Sequence, residues 1–164
     1  MRKYFQWCAS PLGELLLTAS DRGITGVHVR AGKYVPELAQ DWVEAPRNPL
    51  LLQLQRELDA YFAGRLRRFA VPLDARGTDF QKRAWAALAV IPYGETRSYG
   101  QQAHAIGRPQ AARAVGAANG RNPIGIVVPC HRVIGADGGR GGYGGGVWRK
   151  KRLLEVEGAA SPGR

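Results

Sequence analysis

Three apolar runs crowd the first thirty residues, Lys3 to Ala9, Glu14 to Ala19 and Ile24 to Arg30, with only Ser10-Pro11-Leu12-Gly13 and Asp21-Arg22-Gly23 between them. Connections that short cannot carry a chain across the face of a sheet, so the runs are expected to pair as an antiparallel meander. After a looser stretch, Asn48-Pro49 opens a helix with Pro at its first position. Leu50, Leu51, Leu54, Leu58, Tyr61 and Phe62 follow at helical spacing, and Gly64 closes it. Phe69 to Leu73 reads as one further strand. The first half is thus a small α/β unit, and nothing in it carries chemistry. Cys8 and His28 lack the further ligands a metal would need, so no metal is expected.

Composition shifts around Asp74-Ala75-Arg76-Gly77, dividing the chain into residues 1–75 and 76–164. Thr78-Asp79-Phe80-Gln81 is a capping box, and Phe80, Ala84, Leu88 and Ile91 line one face of the helix it opens. Pro92-Tyr93-Gly94 ends that helix. A second capping box, Ser98-Tyr99-Gly100-Gln101, opens a short helix to Ile106 that Gly107 closes, and a third helix is expected from Pro109 to about Asn119. Two short helices joined by Gly107-Arg108-Pro109 fit a helix-turn-helix. From Ala111 to Ala118 only Arg113 and Val115 are not Ala or Gly, although a glycine such as Gly116 costs about 1 kcal/mol inside a helix. A face of small residues lets backbone approach a nucleic-acid groove, and the lack of polar side chains for base edges predicts weak sequence specificity.

Charge points the same way. Lys and Arg total 24 against 13 acids, and residues 75–164 hold 14 of the bases but only 5 of the acids. Between Arg97 and Arg152 ten basic residues meet one acid, Asp137. Such a field attracts polyanions. No apolar run approaches the ~18 residues of a membrane span. Tyr4-Phe5-Gln6-Trp7 is no signal segment, and two cysteines make no disulfide scaffold. A cytoplasmic protein, monomeric in solution, is the expectation.

Ile126-Val127-Val128 reads as a buried strand running into Pro129-Cys130-His131-Arg132-Val133-Ile134. A cysteine at the end of such a strand, beside His and Arg, has surroundings that favour a thiolate nucleophile. A Cys–His pair needs a third group to orient the imidazole. Glu155 and Glu157, on the last helix before Gly158, are the nearest downstream acids, and spacing does not choose between them. Gly138 to Gly146 holds seven glycines in nine residues, without the spacing of a P-loop or dinucleotide fingerprint. It reads either as a plain surface loop or as one along which a flat ligand slides, with Tyr143 as its aromatic wall.

Pro129-Cys130-His131-Arg132-Val133 resembles the active-site signature of the O6-alkylguanine-DNA alkyltransferases, the methylated-DNA–protein-cysteine methyltransferases. Pro92-Tyr93-Gly94, Ser98-Tyr99, Gly107-Arg108-Pro109, Ala111-Ala112-Arg113-Ala114-Val115-Gly116, Asn122-Pro123, Gly142-Tyr143-Gly144-Gly145 and Glu157-Gly158 extend the likeness in order and spacing. It is dense from about Thr78 to Gly158 and follows only general pattern before that.

The resemblance implies an RNase H-like N-terminal α/β domain and a mainly helical, winged-helix-like DNA-binding domain that carries the active site. It implies stoichiometric transfer of an alkyl group to Cys130 from O6-alkylguanine in double-stranded DNA, with O4-alkylthymine as a further candidate. His131 is implied as base, acting through a water because neighbours in an extended segment point apart. Glu157, rather than Glu155, is implied to orient it. Asn122 would brace the DNA-binding helix against the active-site strand, and Tyr99 would press on the target phosphate and donate to the flipped base. Arg113 would fill the vacated place in the duplex, with Ala112, Ala114, Gly116 and Arg132 along the DNA surface. Tyr99, the Val133 carbonyl, Tyr143, Gly144 and Gly145 would wall the base pocket. Gly144 stands where some members have serine, so a roomier pocket is expected. Displacement at an sp3 carbon needs no metal or cofactor, and the thioether formed is not hydrolysed, so the protein acts once. A lesion-sensing DNA-binding module without transfer is the alternative, and Cys130 argues against it.

Overall fold

A computed structural model describes residues 2–135 and 146–159. The N-terminal half forms a four-stranded sheet of β1 (Tyr4–Cys8), β2 (Leu15–Ala19), β3 (Ile24–Val29) and β4 (Val43–Glu44), in the order β3-β2-β1-β4. The meander is antiparallel as its tight turns require, with Trp7 opposite Leu16 and Leu17 opposite Val27. The short β4, which no turn signal announces, adds to β1 in parallel. Helix α1 (Pro49–Phe62) lies on this sheet. Asn48 caps it by accepting from the backbone N–H of Leu50 and Leu51, and Leu51, Leu54, Leu58 and Tyr61 turn inward.

The C-terminal half holds α2 (Asp79–Ala89), α3 (Tyr99–Ala105), α4 (Ala112–Gly120) and α5 (Val147–Val156). Both capping boxes form: Thr78 with Gln81 and Ser98 with Gln101 exchange side-chain and backbone bonds. Gly107, at φ +75°, stops α3, a conformation with no steric cost for glycine. Helix α4 starts three residues later than Pro109, because the Ala111 N–H closes a turn onto the Arg108 carbonyl at 2.9 Å. The amides of Gln102 and Asn119, both buried, bond reciprocally between α3 and α4 at 2.8 and 2.9 Å.

Two strand expectations are corrected. Phe69–Leu73 makes only a single bridge, Leu73 to Ile24, while Glu57 takes the Ala70 and Val71 N–H groups. Ile126–Val128 is not a strand but a succession of tight turns, with Ile126 at φ +70° and the Val128 N–H on the Ile124 carbonyl at 2.9 Å. Ile126 and Val128 are buried, and a short apolar run reads alike whether burial falls on strand or turn.

The halves share one core, in which Leu15, Leu54 and Tyr61 meet Trp85, Ile124, Val133 and Leu153. The outer edge of β3 grips the segment that leads to the cysteine: the Val27 N–H donates to the Pro123 carbonyl at 2.9 Å and the Gly125 N–H to the Val27 carbonyl at 3.2 Å. Strands β5 (Arg97–Ser98) and β6 (Val133–Ile134) form a small parallel ladder. Because Ser98 also caps α3, this ladder fixes Tyr99, the first residue of α3, next to the turn that carries Cys130.

Candidate active site

After Pro129 the chain makes one 3-10 turn, Cys130–Arg132, before entering β6. The extended segment expected around the thiol is therefore a tight turn, and both side chains after Cys130 turn inward. Asn122 braces the approach: its Nδ2 donates to the Val128 carbonyl at 2.7 Å, and its Oδ1 accepts from the Ile124 N–H at 3.0 Å.

The inward side chains converge on Glu157, which caps the C-terminus of α5 and is 5% exposed; Glu155 on the same helix is exposed. Oε2 of Glu157 lies 2.7 Å from Nε2 of His131 and accepts the Tyr61 hydroxyl at 2.6 Å. Arg132 reaches the carboxylate with Nε at 2.8 Å and Nη2 at 3.0 Å, and gives Nη1 to the Ile91 carbonyl at 2.7 Å. Burial pushes the Glu157 carboxyl up, but donors from His131, Arg132 and Tyr61 and the charge of His131 outweigh it and hold it at about 2. Burial lowers His131 below the ordinary histidine value, against the pull of Glu157 and with help from Arg132 and Lys150. The imidazole is thus neutral at pH 7. Because a carboxylate only accepts, Nε2 carries the proton, and Nδ1 keeps a lone pair. Nδ1 is buried and has no hydrogen-bond partner among the described residues. A base with one nitrogen oriented and the other unclaimed is ready to take a proton.

Arg132, expected on the DNA surface, is 7% exposed and spent on Glu157 and Ile91. A guanidinium buried in a carboxylate fork, with three of its five donors engaged inward, is turned away from a phosphate at the surface. Burial raises the Cys130 thiol above its ordinary value, and Asn122 and Lys150 only temper this, so the sulfur needs a base to become a nucleophile.

Lys150, which no sequence motif singles out, also reaches the site. Its ammonium is 0% exposed, makes no hydrogen bond among the described residues, and lies 5.8 Å from the centre of the Tyr99 ring. Burial lowers it to about 8, with Cys130 pulling upward. The signal was present, since Lys150, Leu153, Leu154 and Glu157 fall at helical spacing on the buried face of α5. Arg149, next to it, donates Nε to the Leu12 carbonyl at 2.8 Å, tying α5 to the N-terminal half.

Tyr99 is half-buried beside this group, and burial, then the nearby sulfur, raises its hydroxyl. On α4, Arg113 and Ala114 are exposed, while Ala112 and Gly116 are half-buried. A Cβ on Gly116 would meet the Tyr99 ring at 3.6 Å, an ordinary contact, so the protein interior does not demand glycine there. Val133 is fully buried in β6. Tyr143, Gly144 and Gly145 lie outside the described residues.

Residues 3–75 match the 6-O-methylguanine DNA methyltransferase ribonuclease-like domain, and residues 79–159 match the DNA binding domain of the same methyltransferases. The methylated-DNA–protein-cysteine methyltransferase of Mycobacterium leprae is 53% identical over 90% of this chain and 88% of its own. That of Methanosarcina acetivorans is 49% identical over 95% of this chain and 99% of its own. A crystal structure of Mycobacterium tuberculosis OGT in complex with DNA superposes with a TM-score of 0.88 at 51% identity, covering 94% of this chain and 92% of that one. A lone thiol set among a neutral histidine, a carboxylate and a buried lysine, on a chain matched along both halves, belongs to the 6-O-methylguanine DNA methyltransferase family.

Proposed function

We propose that the protein repairs alkylated DNA by moving the alkyl group from guanine O6 to Sγ of Cys130. The observation that carries this is the His131 imidazole next to Cys130 in the chain, its Nε2 held on Glu157 at 2.7 Å and its buried Nδ1 without a hydrogen-bond partner among the described residues. The thiol proton passes to Nδ1, through a water. The sulfur lone pair then forms the S–C bond as the C–O6 bond breaks, and the guanine leaves with that electron pair and takes up a proton. Lys150 stabilises the charge on sulfur as it develops, in a site dry enough for the field to matter. The thioether has no leaving group, so each molecule reacts once.

A base inside a duplex is out of reach, so the target must be flipped out, at a cost of a few kcal/mol. The exposed Arg113 on the small-residue face of α4 is suited to the gap, with Ala112, Ala114 and Gly116 allowing close approach. Tyr99, at the start of α3, stands between that helix and the thiol, where it would meet the flipped nucleotide. By the family resemblance Tyr143, Gly144, Gly145 and the Val133 carbonyl would wall the base pocket; of these only Val133 lies among the described residues. No described helix is long and apolar enough to cross a membrane, and the cytoplasm, with its DNA, is the compartment this activity needs.

The test is intact-protein mass after incubation with a duplex carrying one O6-methylguanine. A gain of one methyl, mapped to the Cys130 peptide and absent in Cys130→Ser, is expected; DNA bound without a mass change would sink the reading. A second expectation concerns Arg113→Ala. It should slow transfer to duplex about tenfold to a hundredfold, in line with a few kcal/mol of flipping energy, and slow transfer to single strands much less. Paired single-turnover assays on the two substrates measure this.

A further inference from the structure

Through Tyr61 the N-terminal half reaches the carboxylate at the centre of the site. Tyr61 is fully buried on α1, and its hydroxyl donates to Oε2 of Glu157 at 2.6 Å, 96 residues away in sequence. That oxygen also faces Nε2 of His131 at 2.7 Å and Nη2 of Arg132 at 3.0 Å, while Oε1 receives Arg132 Nε at 2.8 Å. Building on the alkyl-transfer reading, we infer that Tyr61 is a positioning residue for the reaction: it takes a share of the Glu157 oxygen that faces His131, so that the carboxylate orients the imidazole without drawing a proton onto it.

The hydroxyl is not there for the core. Tyr61 meets the rings of Phe62, Phe69 and Tyr93 at 5.2, 5.5 and 6.3 Å, contacts that a phenylalanine would make as well. Its reason lies in the carboxylate. A buried carboxylate facing only a histidine favours the imidazolium, as an orienting Asp does in a catalytic triad, and an imidazolium cannot accept the thiol proton. Here three side chains, His131, Arg132 and Tyr61, divide the charge of Glu157. From the other side the charges of Lys150 and Arg132 act on His131 itself, and both disfavour its protonation. Tyr61 stays a neutral donor throughout, because burial and the adjacent carboxylate raise its hydroxyl far above the ordinary tyrosine value.

Tyr61→Phe removes the donor and keeps the ring. Transfer to duplex DNA is expected within about twofold of wild type near pH 8 and about tenfold slower near pH 5. The midpoint of the acid limb would move up by about one unit, the effect of losing one hydrogen bond to a charged group. The His131 imidazole, followed by NMR titration, should move the same way. A rate lowered by one factor at every pH, or an unmoved His131 midpoint, overturns the inference in favour of a purely structural role. Should the variant not fold, the wild type decides. Its Tyr61 hydroxyl proton must appear far downfield and shift as His131 titrates, and a proton indifferent to His131 equally overturns the coupling. Failure of the wild type to methylate Cys130 would remove the alkyl-transfer reading, whereas the NMR comparison would still judge Tyr61.

Discussion

Glu157→Gln is expected to cost about 3–5 kcal/mol of stability, because it leaves the buried Arg132 guanidinium without a counter-charge. Glutamine keeps the shape but offers one carbonyl oxygen to Tyr61, His131 and both Arg132 donors, and its own N–H group would point at one of them. For a domain of this size the fall in Tm is about 6–20 °C. Alkyl transfer should slow at least about a hundredfold, the usual worth of a positioned base, since His131 loses the group that fixes its tautomer. The same carboxylate predicts acid sensitivity. It titrates at about 2 in the fold against 4.5 ordinarily, so its contribution is complete above 4.5 and disappears as pH falls through 2. That contribution is about 3 kcal/mol. Denaturant unfolding between neutral and acid pH should show it in the wild type, and the variant should lack that part of the acid slope.

Lys150→Met should move stability and activity in opposite directions. The ammonium is fully buried without a hydrogen-bond partner among the described residues, a costly arrangement that an apolar chain of similar length removes. A gain of about 1–3 kcal/mol is expected below pH 8. Transfer should nevertheless slow about tenfold or more, because the forming thiolate loses the positive charge of Lys150 that favours it. The pH dependence separates this from general repacking. Lys150 titrates at about 8 in the fold and near 10.5 when unfolded. A lysine held below its unfolded value penalises the fold fully below about 8, and the penalty fades as pH rises to 10.5. The stability advantage of the variant should therefore shrink across that window. Taking the difference between variant and wild type cancels Cys8, whose raised value acts in the opposite sense, while Cys130, no longer tempered by Lys150, rises further in the variant and adds to the shrinkage. An advantage constant from pH 7 to pH 10.5 would mean that the lysine is not charged in the resting site.

What was legible in the sequence was local. Thr78 with Gln81, Ser98 with Gln101 and Asn48 before Pro49 each satisfy orphan helix donors within a few residues, so their chemistry is written in adjacent letters. The three meander strands are bounded by turns too short for any other pairing. The exposed Arg113 and the thiol at Cys130 were likewise identifiable, the latter by its motif. Arg132 and Lys150 were not, because arginine and lysine are so seldom buried that a basic tally counts both as surface. Each is interior here, and the surface field is weaker by those two charges. Spacing could not choose Glu157 over Glu155; that depends on which side of α5 faces the cysteine turn, a tertiary fact. Tyr61 was read only as one member of an apolar stripe, since helical periodicity registers the ring and is blind to the hydroxyl.

The bond from Tyr61 to Glu157 also bears on how the protein is made. Synthesis proceeds from the N-terminus, and early segments generally fold before later ones emerge. The sheet and α1 are thus synthesised before the thiol, and Lys150 and Glu157 follow it with α5. A nascent or truncated chain lacking α5 therefore exposes a cysteine with no oriented base and no neighbouring cation. For a molecule that can react only once, the ribosome delivers the trigger last, after the scaffold that will aim it is made.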